Sequence, residues 1–176
     1  MENRYKNRTT YRIYSRIFSY NEKKYWKLRS IVTTKSNKTP KLIKLLYLIR
    51  LKRMEARNAC SLGTALNAGA FFKTPPRLPH GIAGIFISHS AVIGSNCLIL
   101  QNVTIGSAHG AAPVIGDNCV IGANACIIGG IVIGNNCKIG AGCVVFKDVP
   151  DNTTVVSQAP RYITRSEKEA TENNYF

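Results

Sequence analysis

Between residues 85 and 150 an aliphatic side chain returns at every sixth position: Ile87, Ile93, Ile99 and Ile105, then Ile115, Ile121, Ile127, Ile133, Ile139 and Val145. The one irregular step, Ile105 to Ile115, is a six with four residues inserted. Neither a 3.6-residue nor a simple two-residue period yields sixes, so an amphipathic helix is excluded and short strands separated by turns are predicted. Three residues after eight of these positions stand Asn96, Asn102, Asn118, Asn124, Gly130, Asn136, Gly142 and Asp148, residue types that tolerate a left-handed backbone. Those are the predicted corners. A third column holds Ala91, Cys97, Val103, Pro113, Cys119, Ala125, Ile131, Cys137, Cys143 and Val149, mostly small residues that face inward where space is short.

A strand, corner, strand pattern of this kind is the hexapeptide repeat of a parallel β-helix, whose coils stack at the spacing of neighbouring strands, about 4.8 Å. With three hexads to a coil, one coil is 18 residues. Cys119 then stacks on Cys137, and Cys97 on Cys119 once the insertion is removed. Four of the six cysteines occupy the inward column. Parallel Cβ vectors one strand spacing apart suit a disulfide poorly. The thiols therefore read as small buried hydrophobes of a reducing compartment rather than as zinc ligands or redox groups. There is no CxxC, and Cys60 and Cys126 fall outside the column with no assigned role.

Ahead of the repeat, PKLIKLLYLIRLKRMEAR at residues 40–57 reads as one helix with a proline start and an apolar run flanked by Lys41, Lys44, Arg50, Lys52 and Arg53. Residues 1–39 show no firm periodicity. The predicted organisation is a basic, partly helical arm (1–62), a β-helix domain (63–165) and a tail (166–176). The net charge of +15 belongs to the arm: residues 1–60 hold seventeen Lys/Arg against three Glu, the remainder seven against six acids. The arm has neither zinc-finger spacing nor an RNP-type aromatic motif, so nucleic acid is not the expected partner. Its charge suits an anionic membrane face or a negatively charged substrate. No stretch reaches the 18 or so apolar residues of a spanning helix, and the polar, basic start MENRYKNRTTYR lacks a signal-type apolar region. The expected location is the cytoplasm, with peripheral contact at the inner membrane face as an extension. Helix 40–57 is expected to pack on the open first coil, whose strand edges would otherwise be unpaired; lying in a membrane interface is the rival reading.

The runs ISHSAVIGSNCLILQNVTIG and VIGDNCVIGANACIIGGIVIGNNCKIGAGCVVFKDVPDNTTVV, with the break SAHGAAPVIG between them, resemble the left-handed β-helix acyltransferases, and within them the serine O-acetyltransferases. LQNVTIG and IGAGCVVFKDVPDNT are the most specific pieces. The winding hand is implied by the resemblance and runs against the usual crossover rule. Also implied are transfer of acetyl from acetyl-CoA to a hydroxyl in a ternary complex, no metal, and a homotrimer with sites between subunits. Family members carry an essential histidine in an LxH segment about one coil before the VTxG strand; here that is Leu78-Pro79-His80, with the Gly81–Gly84 turn absorbing one extra residue. His80 is thus the expected general base, and His89 a solvent-facing corner. His109, in the insertion, is a candidate acceptor contact. Ala123 and Ala141, each directly after an Ile-Gly pair, match positions along which the pantetheine arm lies. Lys147 and Arg161 match positions that meet CoA phosphates.

Two departures bear on the acceptor. Where serine acetyltransferases carry an aspartate before the catalytic histidine and a histidine before the proline that re-enters the coil, this chain has Pro79 and Ala112. There is no Asp before residue 117, so the acid that usually orients the imidazole is missing; Asn67, a backbone carbonyl or a neighbouring subunit would have to substitute. These departures favour a bulkier hydroxyl, such as a cell-surface or capsular sugar. Serine O-acetylation is the alternative, and a non-catalytic scaffold a third reading. A zinc carbonic anhydrase of this fold is not the expected reading, because the His-x4-His pair expected there is missing.

Overall fold

In the computed structural model, which describes residues 20–159, the isoleucine ladder is wound as three parallel four-stranded sheets, each a wall of a prism. Wall I holds β3 (Phe71–Phe72), β5 (Val92–Ile93), β8 (Val114–Ile115) and β11 (Val132–Ile133). Wall II holds β6 (Leu98–Ile99), β9 (Val120–Ile121), β12 (Lys138–Ile139) and β14 (Thr154–Val155). Wall III holds β4 (Phe86–Ile87), β7 (Thr104–Gly106), β10 (Cys126–Ile128) and β13 (Val144–Val145). The chain visits I, II and III in turn, so from β4 to β13 each strand pairs with the one three places along, while β3 pairs with β5 and β12 with β14 at the two ends. A separate antiparallel pair, β1 (Thr64–Ala65) and β2 (Ala68–Gly69), opens the domain.

The register repeats every 18 residues: Ile87 pairs with Ile105, Ile127 with Val145, and Ile115 with Ile133. Where the insertion intervenes the step is 22, as from Ile105 to Ile127 and Ile93 to Ile115. Every residue of the aliphatic and small columns is buried, including Pro113. The six cysteines are free, as the stacking geometry requires. In the inward column each buried thiol donates to a carbonyl of the next coil: Cys97 to Gly116 at 3.3 Å, Cys119 to Gly134 at 3.1 Å and Cys137 to Pro150 at 3.0 Å. The sulfur therefore fills the small column and satisfies a carbonyl at once.

At the edge between walls I and II, the corner residues Asn96, Asn118, Asn136 and Asn152 all have φ of 55–58°. Their amides form a ladder, each donating to the next at 3.4, 3.2 and 3.0 Å. Asparagine thus relieves the left-handed strain and ties the coils together. Asn102, Asn124 and Gly142 turn the II/III edge in the same backbone conformation. Two predicted corners shift. β10 runs one residue longer than most strands, so the left-handed residue is Gly129 (φ 97°) rather than Gly130. Asp148 is not left-handed; its carboxylate accepts the Val132 N–H at 2.8 Å and holds a shortened last coil, in which Ile139 meets Val155 after 16 residues.

Two helices cap the first coil. α2 (Lys41–Arg57) matches the predicted helix; α1 (Glu22–Thr33), N-capped by Asn21, lies where no period was visible. Its inward positions are Tyr25, Arg29 and Val32, so an arginine occupies the middle of what would be an apolar stripe. The Arg29 guanidinium donates to Leu62 O at 3.2 Å and Ala70 O at 2.6 Å and lies 4.6 Å from the Phe72 ring centre, sealing carbonyls at the coil opening. Beside it, Tyr25 Oη donates to Glu55 Oε1 at 2.6 Å, Thr64 Oγ1 donates to the same oxygen at 2.9 Å, and Lys52 pairs with Oε2 at 2.8 Å. Burial, then the Glu55 charge, pushes the Tyr25 phenol up and keeps it a donor.

The tight coil spacing gives a test. A Cβ added at Gly116 would lie 2.8 Å from the Gly134 carbonyl carbon and 2.9 Å from Asn135 N, whereas one at Gly106 meets nothing closer than 3.7 Å. Gly116→Ala is expected to lower stability by about 1–3 kcal/mol. Gly106→Ala should stay within about 0.5 kcal/mol of wild type in the same denaturant titration.

Candidate active site

The walls sort the candidate residues onto different edges of the prism. Arg77 bridges Leu98 on wall II, and the Ala83 carbonyl accepts the Asn102 N–H at 3.3 Å. His80 therefore sits in the turn that stacks on residues 100–102, at the II/III edge. One coil further along that edge is Gln101, whose carbonyl accepts from Asn124 N at 3.1 Å; next comes Ala123, whose carbonyl accepts from Gly142 N at 2.9 Å, and then Ala141. His80, Gln101, Ala123 and Ala141 so form one strip, each step rising about 4.8 Å. The II/III edge is the strip on which an elongated ligand can lie.

His80 is exposed, in the turn that opens the strip. Asn67 does not orient it, because Asn67 Oδ1 is taken by the Lys44 ammonium at 2.8 Å and its N–H by Val32 O at 2.8 Å. The arm thus claims the residue that the sequence offered as a substitute for the missing acid. Gln101, which the sequence analysis passed over, carries a buried Oε1 with no hydrogen-bond partner among the described residues. Only its place in LQNVTIG, one residue before a corner asparagine, marked it beforehand. An acetyl-CoA pantetheine arm fits this strip in shape, because Ala123 and Ala141 add no bulk beyond Cβ.

His89, His109 and Lys147 lie on the other edge, between walls III and I. The insertion is a tight hairpin rather than an open loop: Ala108 and Ala111 exchange both backbone hydrogen bonds, at 2.9 and 3.0 Å, around His109 (φ 51°) and Gly110 (φ 79°). Two successive positive φ values mark a type I′ turn, with the exposed His109 at its tip. Lys147 is exposed, its ammonium 6.0 Å from the Phe146 ring centre. Within one chain wall III separates this group from His80. Arg161 and the tail lie outside the described residues. Among the described residues no cluster of three or more His, Cys, Asp or Glu could hold a metal.

Comparison with known proteins adds the family context. Residues 112–147 match the model of the bacterial transferase hexapeptide (six repeats). The chain is 46% identical over 99 residues to serine acetyltransferase 3 of Arabidopsis thaliana, covering 54% of this chain and 25% of that one. It is 39% identical over 105 residues to the putative colanic acid biosynthesis acetyltransferase WcaB of Escherichia coli, covering 58% and 64%. The crystal structure of Neisseria gonorrhoeae serine acetyltransferase in complex with serine superposes with a TM-score of 0.54 at 38% identity, over 67% of this chain and 46% of that one. The hexapeptide-repeat β-helix of this chain is similar to that of serine acetyltransferases in sequence and in fold. The chain spans less than two thirds of the length of each of these relatives.

The thiols supply a check that the site is not a cysteine site. Cys97, Cys119 and Cys137 are fully buried, and burial pushes Cys60 up to about 12. Cys126, on the outer face of β10, is the one half-buried thiol. At pH 8 a brief iodoacetamide pulse read by mass spectrometry should label Cys126 ahead of the other five. Fast labelling of Cys60 or Cys119 would contradict these burial assignments.

Proposed function

We propose that this chain is an acetyl-CoA-dependent O-acetyltransferase in which His80 is the general base and the II/III edge receives the pantetheine arm. The observation that carries the reading is the alignment of His80, Gln101, Ala123 and Ala141 on one strip of a serine acetyltransferase-like prism. Neutral imidazole suits the task because its pKa lies near working pH. His80 would take the acceptor's hydroxyl proton as that oxygen attacks the thioester carbonyl, and would return a proton to the departing CoA sulfur. Backbone N–H groups at the coil edge are the available donors to the developing oxyanion, a contribution of about 2.7–4 kcal/mol per donor in other enzymes. Because His109 and Lys147 sit across wall III from His80, both groups meet in one site when a neighbouring subunit brings its III/I edge to this strip. A homotrimer of cytoplasmic subunits is the arrangement proposed.

For the acceptor, the similarity to serine acetyltransferases supports free serine ahead of the sugar favoured by the sequence departures. The sugar reading stays open on a specific observation: Pro79 and Ala112 replace both side chains through which the resemblance implies serine is held. The similarity to a colanic acid biosynthesis acetyltransferase points the same way.

Thiol release from acetyl-CoA, measured with serine and separately with a panel of sugar hydroxyls, decides between them. Turnover with serine alone establishes the first reading, and turnover only with sugars the second. In either case His80→Ala is expected to lower kcat by about 10²–10⁴-fold, while His89→Ala leaves it unchanged. Full activity in a folded His80→Ala protein would overturn both.

A further inference from the structure

Helix α2 carries a second surface that the chemistry above does not use. At 100° per residue its inner face is set by Lys44, Leu51, Met54 and Glu55, all buried. Opposite them lie Leu42, Leu45, Leu46, Ile49 and Arg53. Leu42 is 70% exposed and Leu46 58%, with Leu45 and Ile49 also exposed. On one side this stripe is bordered by Lys41 and Lys52, on the other by Arg50 and Arg57, all exposed. The helix's single acid, Glu55, points inward to Tyr25 and Thr64. The outer face is therefore apolar from Leu42 to Ile49 with Arg53 at its C-terminal end, and the charges at its margins are all cationic, Lys52 being the one paired with Glu55.

We propose that this face of α2 docks on an anionic lipid bilayer, with the leucines entering the acyl boundary and Lys41, Arg50, Arg53 and Arg57 at the headgroups. Charge decides the occupant. A second copy of the chain would set Arg53 and its flanking cations against their own kind, on an arm that carries seventeen Lys/Arg against three Glu, whereas an anionic headgroup layer complements them. No helix among the described residues is long and apolar enough to cross a membrane, so the helix lies on the surface rather than through it. The buried network on its inner side fixes the orientation, because Lys44, Tyr25 and Glu55 hold α2 against α1 and the first coil. This inference does not depend on the acceptor or on the acetyl-transfer reading.

The test is cosedimentation of the full-length protein with sucrose-loaded vesicles, phosphatidylglycerol and phosphatidylcholine at about 3:7 against phosphatidylcholine alone. The wild type is expected to sediment with the anionic vesicles and stay in the supernatant with the neutral ones, and about 0.5 M NaCl should weaken the binding. Leu42→Glu/Leu46→Glu is expected to lower partitioning by at least about tenfold, with an unchanged unfolding midpoint since both side chains are exposed. Arg50→Ala/Arg53→Ala provides an independent variant and is expected to lose anionic selectivity. The proposal is overturned if wild type ignores anionic vesicles, or if both variants bind as wild type does. It is equally overturned if the leucine variant abolishes a lipid-free dimer seen by light scattering while lipid binding never appears, which would assign the face to a second copy.

Discussion

Lateral register between coils is the constraint on which this molecule depends. Each strand has two or three residues, far too few to stand alone, and gains stability only by pairing with the strands one coil before and after it. An isoleucine that missed its level by one position would turn outward, so the ladder from Ile87 to Val145 fixes the winding. The corners hold the same register from outside: asparagine amides bond along the I/II edge, and Asp117 and Asp151 carboxylates accept backbone N–H groups of the preceding coil at 2.7 Å. Because the register is rigid, any residue placed at a corner is carried to a defined level on a defined edge. That property makes a strip such as His80 to Ala141 possible without a deep pocket.

A stacked prism has an open first coil, and the arm closes it with polar chemistry. Arg29 bonds the Leu62 and Ala70 carbonyls while its guanidinium lies beside the Trp26 and Phe72 rings, which meet edge to face. The carboxylate of Glu55 is held by Tyr25, Thr64 and Lys52 together. Among the described residues the arm's other Lys and Arg, Lys44 apart, are exposed, and by composition the arm is strongly cationic while the β-helix domain is nearly neutral. Capping and membrane docking were opposed readings of helix 40–57; the inner face of α2 caps, which leaves its outer face free for the docking proposed.

The coil, its 18-residue repeat and the buried cysteine column were legible because each rests on a period that one side-chain type obeys, and α2 because a proline start precedes an apolar run flanked by basic residues. Helix α1 was not, since Arg29 breaks its apolar spacing and its burial depends on carbonyls supplied by residues 62 and 70. The corner at Gly129 was misplaced by one because strand length is set by pairing with β7, which the period does not encode. Of the candidate site, His80, Ala123 and Ala141 came from motif likeness, and the walls explain why they share an edge. Gln101 was hidden because a glutamine in a hexad reads as an ordinary surface residue; its orphan Oε1 appears only when neighbouring coils close over it. Asn67 looked available in sequence and is not, because its partner Lys44 lies 23 positions away on a helix.

The central claim is that the II/III edge is where the acyl donor lies, with its reacting end at His80. A crystal structure with CoA bound tests it most directly. The account predicts a pantetheine arm running past Ala141 and Ala123, with the sulfur ending at the His80 imidazole. CoA bound along the Asn96 to Asn152 edge instead, or with its sulfur remote from every His80 in the assembly, would contradict it.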